Sequence, residues 1–323
     1  MIANLRRSPP AVIAILLAAG GLLWLMAHQV TAQPGVLFWI GVLVLWALVW
    51  IGNDALSGLA ASSPLALRLR NLTVPAIFGL TLLLLWQLIV KGFGISPVFL
   101  PAPSDIWTRI ATSYATLEAD FIQTFMRSVL IGWALGSLAG FVVAILCDYW
   151  GFLRRGLLPL GNLFAALPIV GVAPIMVMWF GFDWHSKAAV VVIMTFFPML
   201  VNAVAGLQAA GHLERDLMRS YGASYFDMLV KLRLPAAMPF IFNALKINST
   251  LALIGAIVAE FFGTPIVGMG FRISTEVAKF NLDLVWAEIA VAALAGSAFY
   301  GVIALIERAV TFWHPSYRSR KDQ

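Results

Sequence analysis

The sequence predicts an all-α protein, specifically a polytopic helical membrane protein. Hydrophobic residues make up 61% of its 323 residues, and charged residues only 11%. Several apolar runs reach the roughly 20 residues that a helix needs to cross a bilayer core of about 30 Å. These runs are apolar on all sides, whereas the strands of a membrane barrel alternate apolar and polar residues. A helical bundle is therefore expected to satisfy the backbone within the membrane.

Eight spans are expected, in two groups separated by a linker. The predicted parts are a two-span N-terminal hairpin in 1–53, a cytoplasmic linker of small and polar residues in 54–71, a six-span body in 72–318 and a tail in 319–323. The predicted spans are 11–30, 36–52, 72–91, 122–147, 157–181, 187–210, 237–263 and 285–311.

The first apolar run begins as a signal peptide would. Arg6 and Arg7 precede it, and Ala19–Gly21 resembles a cleavage site. The apolar stretch continues to Met26, however, and a second run follows at once. A retained span is therefore favoured over a cleaved signal.

The distribution of basic residues predicts the orientation. An even number of spans puts both termini on one side of the membrane, and short cytoplasmic loops are enriched in bases. If both termini are cytoplasmic, the inside segments hold Arg6, Arg7, Arg68, Arg70, Arg154, Arg155, Arg215, Arg219, Lys231, Arg233, Arg318, Arg320 and Lys321. The outside segments hold Lys91, Arg109, Lys187, Arg272 and Lys279. This spread explains the net charge of +6 without a nucleic-acid partner.

The residue inventory argues against several kinds of chemistry. The single cysteine, Cys147, excludes an intrachain disulfide and a cysteine-rich metal site. The histidines lie far apart, at His28, His185, His212 and His314. The phosphate-binding pattern G-x-x-x-x-G-K-[ST] does not occur in the sequence. We therefore expect no metal site, no catalytic residue and no cofactor bound by this chain.

Prolines interrupt several apolar stretches. Those of SPVFLPAPSDIW rule out a long helix, and Ser104 is predicted to cap a short amphipathic helix at the outer interface. Pro168 and Pro174 interrupt the fifth span, and Pro198 interrupts the sixth. Such breaks are tolerated in a membrane where other helices or a water-lined cavity satisfy the freed carbonyl groups. Pro168 and Pro174 are thus candidate pathway residues, with an ordinary packing kink as the open alternative.

Small residues and buried acids give further candidates. In GWALGSLAG, Gly132, Gly136 and Gly140 lie four apart on one helix face, which favours close packing of another helix. Intramembrane acids are functional candidates, and Glu260 ends an apolar run beside a glycine-rich outer segment. Glu260 is expected either to line the pathway or to fix that segment by accepting hydrogen bonds from backbone amides. Glu288 also lies in a span, and an interfacial pair with Arg308 is expected for Glu307.

One polar segment, ERDLMRSYGASYFDMLVKLRLPAAMP at 214–239, stands out from the apolar chain. A short helix is predicted from Leu213 to Tyr221, ended by Gly222, because glycine adopts positive φ at a helix C-cap. Ser224 is predicted to cap a second short helix, with Asp227 three residues on as in a capping box. This helix is expected to end near Leu232.

The same pattern predicts how the segment ends and what it does. Pro235 is expected to stop the second helix, and Pro239 to lie in the first turn of the next span. Two capped helices joined by a tight turn would form a rigid cytoplasmic projection. Its expected apolar surface consists of Tyr225, Phe226, Met228 and Leu229. Binding to a partner protein and resting on lipid headgroups are both open at this point.

The spacing of this segment resembles the EAA signature of permease subunits of bacterial ATP-binding-cassette (ABC) importers. From Gly222, nine residues lead to Leu232, followed by Arg233 and then Leu234-Pro235. The signature has this glycine, this spacing and a Leu-Pro pair. Further stretches resemble the nitrate, sulfonate and taurine branch of these permeases over residues 72–318: FLPAPSDIW, ALPIVGVAPIMVMWFG, FFPMLVNAVAGL, RLPAAMPFIFNALKI and WHPSY.

The sequence departs from the signature in some identities. Asp216, Leu217 and Met218 occupy the three EAA positions, and Leu232 replaces isoleucine. The acid is kept, but the two alanines are lost. The first two predicted spans lie outside the resemblance.

The resemblance implies a fold and a set of partners. The fold is a six-span type I importer core of the MetI-like kind, with the two-span hairpin before it. The implied assembly has a second permease copy, two ATPase subunits that bind ATP and Mg, and a periplasmic substrate-binding protein, in the bacterial inner membrane. The coupling loop, 211–236, would dock on the ATPase through Asp216, Gly222, Ala223, Ser224, Tyr225, Phe226, Asp227, Leu234 and Pro235.

Two other classes are weighed against the importer. An ion-coupled secondary transporter would use midplane acids and broken helices, but it would not require the loop pattern. An intramembrane enzyme would require a nucleophile and base or a metal set, which the spans do not offer. For the substrate, the sequence leans towards relatives for pyrimidine-type vitamin precursors or riboflavin, with nitrate, sulfonate or taurine-like solutes as the other option.

Overall fold

The computed structural model describes residues 9–30, 33–59, 63–165, 168–263 and 266–312, and throughout these ranges the regular structure is helical. The first helices are α1 (Pro9–Gln29), α2 (Val36–Ser57), α3 (Pro64–Gly92), α4 (Pro103–Thr112) and α5 (Tyr114–Phe121). A π-helical segment, π1 (Ile122–Val129), leads into α6 (Leu130–Tyr149), α7 (Gly151–Ala165), α8 (Ile169–Phe180) and α9 (Trp184–Gln208). Then come α10 (His212–Ser220), α11 (Tyr225–Met228), π2 (Leu229–Arg233), α12 (Leu234–Glu260), α13 (Met269–Ala278) and α14 (Leu282–Val310).

Within the described ranges, seven continuous helical stretches are long and apolar enough to cross a membrane, which confirms the polytopic all-α class. They are Pro9–Gln29, Val36–Ser57, Pro64–Gly92, Tyr114–Tyr149, Trp184–Gln208, Tyr225–Glu260 and Leu282–Val310. They correspond to predicted spans one to four and six to eight. Two of them contain a π segment and run for 36 residues each.

The predicted interruption of the fifth span, 157–181, at Pro168 is confirmed, whereas the helix continues through Pro174. The region forms α7 and α8, two helices of 15 and 12 residues, and Pro168 precedes α8 in an extended conformation (φ −70°, ψ 114°). A proline removes a backbone donor and clashes with the preceding turn, so the helix cannot run through it unchanged. Each helix is too short to cross a bilayer core alone.

Helices α7 and α8 nevertheless share the length of α9 between them. Leu157 of α7 packs in a cluster with Met199 in the second half of α9. Met176 of α8 packs with Val190 in the first half of α9. The pair therefore lies along one long helix as a span broken near its middle.

Two other predicted boundaries shift. Helix α2 continues to Ser57 and α3 begins at Pro64, so most of the predicted linker 54–71 is helical. Ser63 caps α3 by accepting a hydrogen bond from the backbone N–H of Ala66 (3.2 Å). Helix α4 begins at Pro103, and Ser104 lies in its first turn instead of capping it.

The chain divides into two compact units. The first contains the described residues up to Thr112 together with Phe280–Ala287, and the second contains Ser113–Lys279 and the described residues from Glu288 onwards. In the first unit, α1, α2 and α3 pack around a buried apolar cluster that includes Leu23, Val42 and Leu88. The two predicted N-terminal spans therefore pack together with the third.

In the second unit, α6, α9 and α12 form the centre. The glycine face of α6 lies directly against α9: a Cβ atom added to Gly136 would meet the Thr195 hydroxyl and lie 2.7 Å from the carbonyl oxygen of Val192. Gly132 and Gly140 lie equally close to α9. The buried Asn248 amide of α12 donates to the Ser137 hydroxyl of α6 (2.9 Å) and to the Thr195 carbonyl (2.8 Å).

The prediction that Pro235 stops a short helix is also wrong. Helix α11 continues through π2 into α12, with Pro235 in the first turn of α12. In π2 the backbone N–H of Leu234 donates to the carbonyl oxygen of Leu229, five residues back. In this register the carbonyl group four residues before Pro235 does not depend on the N–H that proline lacks. Pro239, which was expected in the first turn of the next span, instead lies inside α12, because the helix begins at Leu234 and Pro235 occupies its first turn.

Candidate functional site

A buried ion pair holds the base of the polar segment. Both Nη nitrogens of Arg233 donate to the Asp148 carboxylate at the end of α6, with Nη1 to Oδ2 at 2.6 Å. The Nε of Arg233 donates to the carbonyl oxygen of Leu207 at the end of α9 (2.9 Å). The Tyr225 hydroxyl donates to the same carboxylate (2.8 Å). We call Asp148, Leu207, Tyr225 and Arg233 the Arg233 cluster.

This cluster joins three helix ends through one carboxylate. The Arg233 and Asp148 side chains are 10% and 4% exposed, so their attraction is little screened by water. Guanidinium and carboxylate groups match geometrically in such a two-point contact. Below the pair, Leu207, Leu229 and Ala237 form a buried apolar cluster. The polar segment is therefore tied to the ends of α6 and α9.

The turn of the polar segment is closed by two caps. Gly222 has φ +72°, its N–H donates to Arg219 O (2.9 Å), and the N–H of Ala223 donates to Met218 O (3.0 Å). This is the Schellman arrangement, in which glycine supplies the left-handed residue. The Ser224 hydroxyl then accepts from the N–H of Asp227 (3.2 Å) and donates to the Asp227 carboxylate. The two predicted caps at Gly222 and Ser224 thus form one rigid turn.

Large apolar side chains around this turn face outward. The exposed side chains are Leu213 (85%), Leu217 (58%), Tyr221 (83%) and Phe226 (69%). Asp216 is also exposed and lies 3.6 Å from Arg219. Among the other predicted docking residues, Leu234 and Pro235 are half-buried within the helix, and Tyr225 is half-buried in the Arg233 cluster. The expectation that Met228 and Leu229 belong to the apolar surface is wrong, because both side chains are buried in the fold. The exposed surface is thus formed by α10, the turn and the start of α11.

A second polar cluster lies at the other end of α12. Glu260 is 2% exposed, and its carboxylate accepts hydrogen bonds from the Thr124 hydroxyl (2.8 Å) and the backbone N–H of Gly270 (2.7 Å). The Thr124 oxygen in turn accepts from the N–H of Met269 (2.8 Å). Asp120 accepts from the N–H of Gly268 (2.6 Å). We call Asp120, Thr124, Glu260 and the amides of 268–270 the Glu260 cluster.

The Glu260 cluster binds the backbone that enters α13. Gly268 has φ +139°, and a Cβ atom at this position would lie 2.8 Å from the Glu260 carboxylate. Glycine is therefore required both for the backbone conformation and for the close approach. Arg272 Nε lies 2.8 Å from the Asp120 carboxylate, which raises the pKa of Arg272 above its ordinary value.

Two other buried charged residues in the second unit, Lys187 and Glu307, also have polar partners. The Lys187 ammonium is 1% exposed and donates to the carbonyl oxygens of Phe182 (2.6 Å) and Gly263. The expected pairing of Glu307 with Arg308 is wrong, because Glu307 is 6% exposed and bonds Lys246 of α12 at 2.7 Å. Glu288 is fully buried.

The N-terminus of α9 is capped by Asp183. The Asp183 carboxylate accepts from the backbone N–H of Trp184 at 2.7 Å. This hydrogen bond lowers the pKa of Asp183 below its ordinary value. Such a charge at a helix N-terminus also interacts favourably with the helix dipole.

The structure places the proline candidates on the broken span. Pro168 precedes α8, and Pro174 lies inside α8 beside the buried Ala173. Ala173 and Met176 face α9 and α12, whereas Met178 and Trp179 at the end of α8 are exposed. Within the described residues, no group of three or more histidine, cysteine or acidic residues is placed to hold a metal.

Sequence reasoning missed the residues that complete both clusters. Asp148 and Arg233 are 85 residues apart, and Thr124 and Glu260 are 136 apart, so no local pattern connects them. One signal was present: Asp148 is an acid at the end of an apolar span, where a cationic partner is needed if it is buried.

Comparison with known proteins gives a consistent picture. Residues 136–312 match the family described as binding-protein-dependent transport system inner membrane component. The chain is 29% identical over 239 residues to the formylaminopyrimidine transport permease protein ThiX of Halalkalibacterium halodurans, covering 74% of this chain and 95% of that one. It is 28% identical over 260 residues to the riboflavin transport system permease protein RibX of Chloroflexus aurantiacus, covering 79% and 96%. It is 28% identical over 240 residues to the taurine transport system permease protein TauC of Escherichia coli, covering 72% and 86%.

Proposed function

Because this chain belongs to the family of binding-protein-dependent transport system inner membrane components, we propose that it forms the translocation pathway of a bacterial ABC importer. A periplasmic binding protein delivers a small solute, and ATP hydrolysis on a separate ATPase subunit drives its passage. Two permease copies and two ATPases make up the assembly, and ATP with Mg binds to the ATPases. The chain lies in the inner membrane with both termini in the cytoplasm.

The observation that carries this proposal is the exposed apolar turn between α10 and α11. A hydrophobic surface on a rigid, capped segment fits a groove on a partner. Phe226 is an aromatic anchor of the kind that dominates binding energy at interfaces. The coupling loop, 211–236, therefore docks on the ATPase through this turn.

The Arg233 cluster gives the docked segment a mechanical connection to the membrane helices. When the ATPases close, force on the turn passes through Tyr225 and Arg233 to Asp148 on α6 and to the end of α9. Because the ion pair of Arg233 and Asp148 is buried and has two hydrogen bonds, the segment moves together with these helix ends. Energy from ATP thereby reaches the pathway without any nucleotide site on this chain.

Replacing Phe226 tests the docking surface. Phe226→Ala removes an exposed aromatic side chain and leaves the caps intact, so we expect the association with the ATPase to weaken at least about tenfold. Phe152→Ala is the matched control, since Phe152 is 84% exposed at the start of α7, outside the coupling loop. Co-purification and binding assays with the cognate ATPase measure the difference. Equal weakening by both variants would contradict docking at the turn.

The energy source separates this function from an ion-coupled secondary transporter, which the comparisons do not favour. In proteoliposomes that contain the whole assembly and the binding protein, uptake should require ATP on the side of the membrane that carries the ATPase subunits. It should persist when ionophores collapse the ion gradients. Uptake that follows an ion gradient without ATP would reject the importer.

For the substrate, we propose a pyrimidine-type vitamin precursor or riboflavin, with a nitrate, sulfonate or taurine-like solute as the second option. The names of the relatives support this order, since formylaminopyrimidine and riboflavin permeases match over 95% and 96% of their lengths. The test is binding of these compounds to the cognate binding protein, followed by ATP-dependent uptake of the one that binds. Tight binding of taurine but not of the aromatic compounds would reverse the order.

A further inference from the structure

A polar pocket lies at the N-terminus of α9, within the second unit and beside the Glu260 cluster. Its volume is about 490 Å³, equivalent to about 16 water molecules at about 30 Å³ each. This is within the range of pockets that hold small molecules. The residues that line it are Ala119, Ile122, Gln123, Arg127, Asp183 and Val267.

Arg127 supplies hydrogen-bond donors to this pocket. It lies on π1, inside the fourth predicted span, and its side chain is exposed. Its Nη1 donates to Gln123 Oε1 (3.1 Å), and no described residue forms an ion pair with it. A guanidinium has five N–H groups, so most of them are left for another acceptor. Ionisable residues within spans mark solute pathways, and π segments are frequent at functional sites.

The Gln123 side chain holds Arg127 and Asp183 on one wall of the pocket. Gln123 is 6% exposed, and its Nε2 donates to Asp183 Oδ1 (3.4 Å). Both ends of this amide are therefore used, which fixes its plane. Asp183 Oδ1 also accepts from the N–H of Trp184, whereas Oδ2 lies 3.9 Å from His185 Nδ1, too far for a hydrogen bond. Because the Asp183 side chain is 55% exposed, Oδ2 can accept a hydrogen bond from a solute.

The charges of this wall determine which solutes it favours. Arg127 at one end offers donors, Asp183 at the other end offers an acceptor, and their charges cancel. A simple anion that is attracted by Arg127 is repelled by Asp183. The rest of the lining is apolar, at Ala119, Ile122 and Val267, and suits the face of a ring. A short zwitterion would satisfy both charges but would leave most of the volume unfilled.

We propose that this pocket is a solute site of the permease for an uncharged nitrogen heterocycle with a hydrogen-bond acceptor and an N–H donor on one edge. The acceptor binds the Arg127 guanidinium, the N–H donates to Asp183 Oδ2, and the ring lies against Ile122. Aminopyrimidines and the flavin ring both have such an edge. This inference rests on the proposed function, to which it adds a selective contact on the permease itself.

Direct binding to the whole assembly tests the site. The assembly of permease and ATPase is placed in lipid nanodiscs without nucleotide and without the binding protein. The radiolabelled probes are riboflavin, formylaminopyrimidine and taurine, and each dissociation constant is measured. We expect the unaltered assembly to bind both heterocycles at least about tenfold more tightly than taurine.

Two variants remove the proposed contacts separately. Arg127→Met keeps the length of the side chain without its donors, and Asp183→Asn keeps the cap of α9, because asparagine also caps helices. Each should raise the dissociation constant of both heterocycles at least about tenfold. Arg155→Met, at an exposed arginine of α7, is the matched control and should leave it unchanged. All three variants should co-purify with the ATPase and keep its basal ATP hydrolysis.

Three results would overturn the proposal. The first is no binding of either heterocycle to the unaltered assembly, which requires no variant to fold. The second is taurine binding as tight as that of the heterocycles. The third is an unchanged dissociation constant in both Arg127→Met and Asp183→Asn, which would leave Arg127 as a contact for lipid phosphate. ATP-dependent uptake by the unaltered assembly separates these failures from failure of the proposed function, because uptake can persist when this site does not bind.

Discussion

The Arg233 cluster and the Glu260 cluster lie at opposite ends of α12, about 40 Å apart along a helix of this length. The first joins side chains of three helix ends to one another around Asp148. The second directs the carboxylates of Asp120 and Glu260 at backbone amides of residues 268–270. One end of the helix is therefore held by an ion pair, and the other by recognition of a connecting segment.

This difference indicates what each end of the molecule has to do. An ion pair between helix ends lets a projecting segment and its helices move as one body, as the proposed docking on an ATPase requires. Carboxylates that bind amides fix a short non-spanning segment whose backbone groups would otherwise be unsatisfied in a membrane. The following predictions test this contrast, in order of decreasing effect.

Loss of the ion pair should have the largest effect. Arg233→Ala leaves the Asp148 carboxylate buried without its partner, and we expect a loss of about 3–5 kcal/mol in the free energy of unfolding. Chemical unfolding in detergent measures it. Lys231→Ala is the control, since Lys231 forms an exposed pair with Asp227 and should leave the unfolding midpoint unchanged.

The double variant Asp148→Ala/Arg233→Ala separates an orphaned charge from lost packing. With no charge left buried, it should be more stable than Arg233→Ala alone. A double variant as unstable as the single one would mean that the ion pair is not what holds the three helix ends.

Loss of the carboxylate at the other end should have a smaller effect. Glu260→Ala leaves the Thr124 hydroxyl and the Gly270 amide without their acceptor, at an expected cost of about 2–4 kcal/mol. Hydrogen exchange at Met269 and Gly270 should accelerate. Glu118→Ala, at an exposed acid on α5, should change neither quantity.

Glu260→Gln separates anchoring from a role in the pathway. If Glu260 acts as an anchor, faster exchange at Met269 and Gly270 should accompany any loss of uptake. The amide keeps one acceptor oxygen but places an NH2 donor where the other carboxylate oxygen accepted a hydrogen bond. Loss of uptake with unchanged exchange would assign Glu260 to the pathway and remove the contrast between the two ends.

A substitution between the two clusters should have the smallest effect of the three. In Gly136→Ala the new methyl group would press on the backbone of α9 at Val192, and we expect a loss of about 1–3 kcal/mol from overpacking. Gly156→Ala is the control, because a Cβ at Gly156 would meet no atom within 4 Å. Thermal unfolding of both variants measures the difference. Equal stability of the two would show that α6 and α9 can separate without cost.

The sequence predicted the features that depend on local pattern. Apolar runs identified seven of the spans, and the residue types at Gly222 and Ser224 identified the caps of the coupling loop. Pro168 indicated the break in the fifth span, but the hydropathy of the residues on both sides of it was high enough for a single span to be assigned. Hydropathy averages over a window, so it does not detect a helix end within an apolar run.

The features that depend on distant contacts were not predictable. Lys246 lies in an apolar helix and pairs with Glu307, 61 residues away, so the neighbouring Arg308 was the only partner that local sequence could offer. The π segments likewise leave no pattern of residue types.

Both clusters are built on a π segment: π1 carries Thr124, and π2 carries Arg233. Such a segment holds more residues per turn than an α-helix, in which each residue advances by about 100°. Tyr225 and Arg233 are eight residues apart, which in an uninterrupted α-helix would place them about 80° apart around the axis. The wider turn of π2 takes up one residue, so that both side chains face the Asp148 carboxylate. The rotational position of α11 relative to α12 is therefore set by the number of residues in one helical turn.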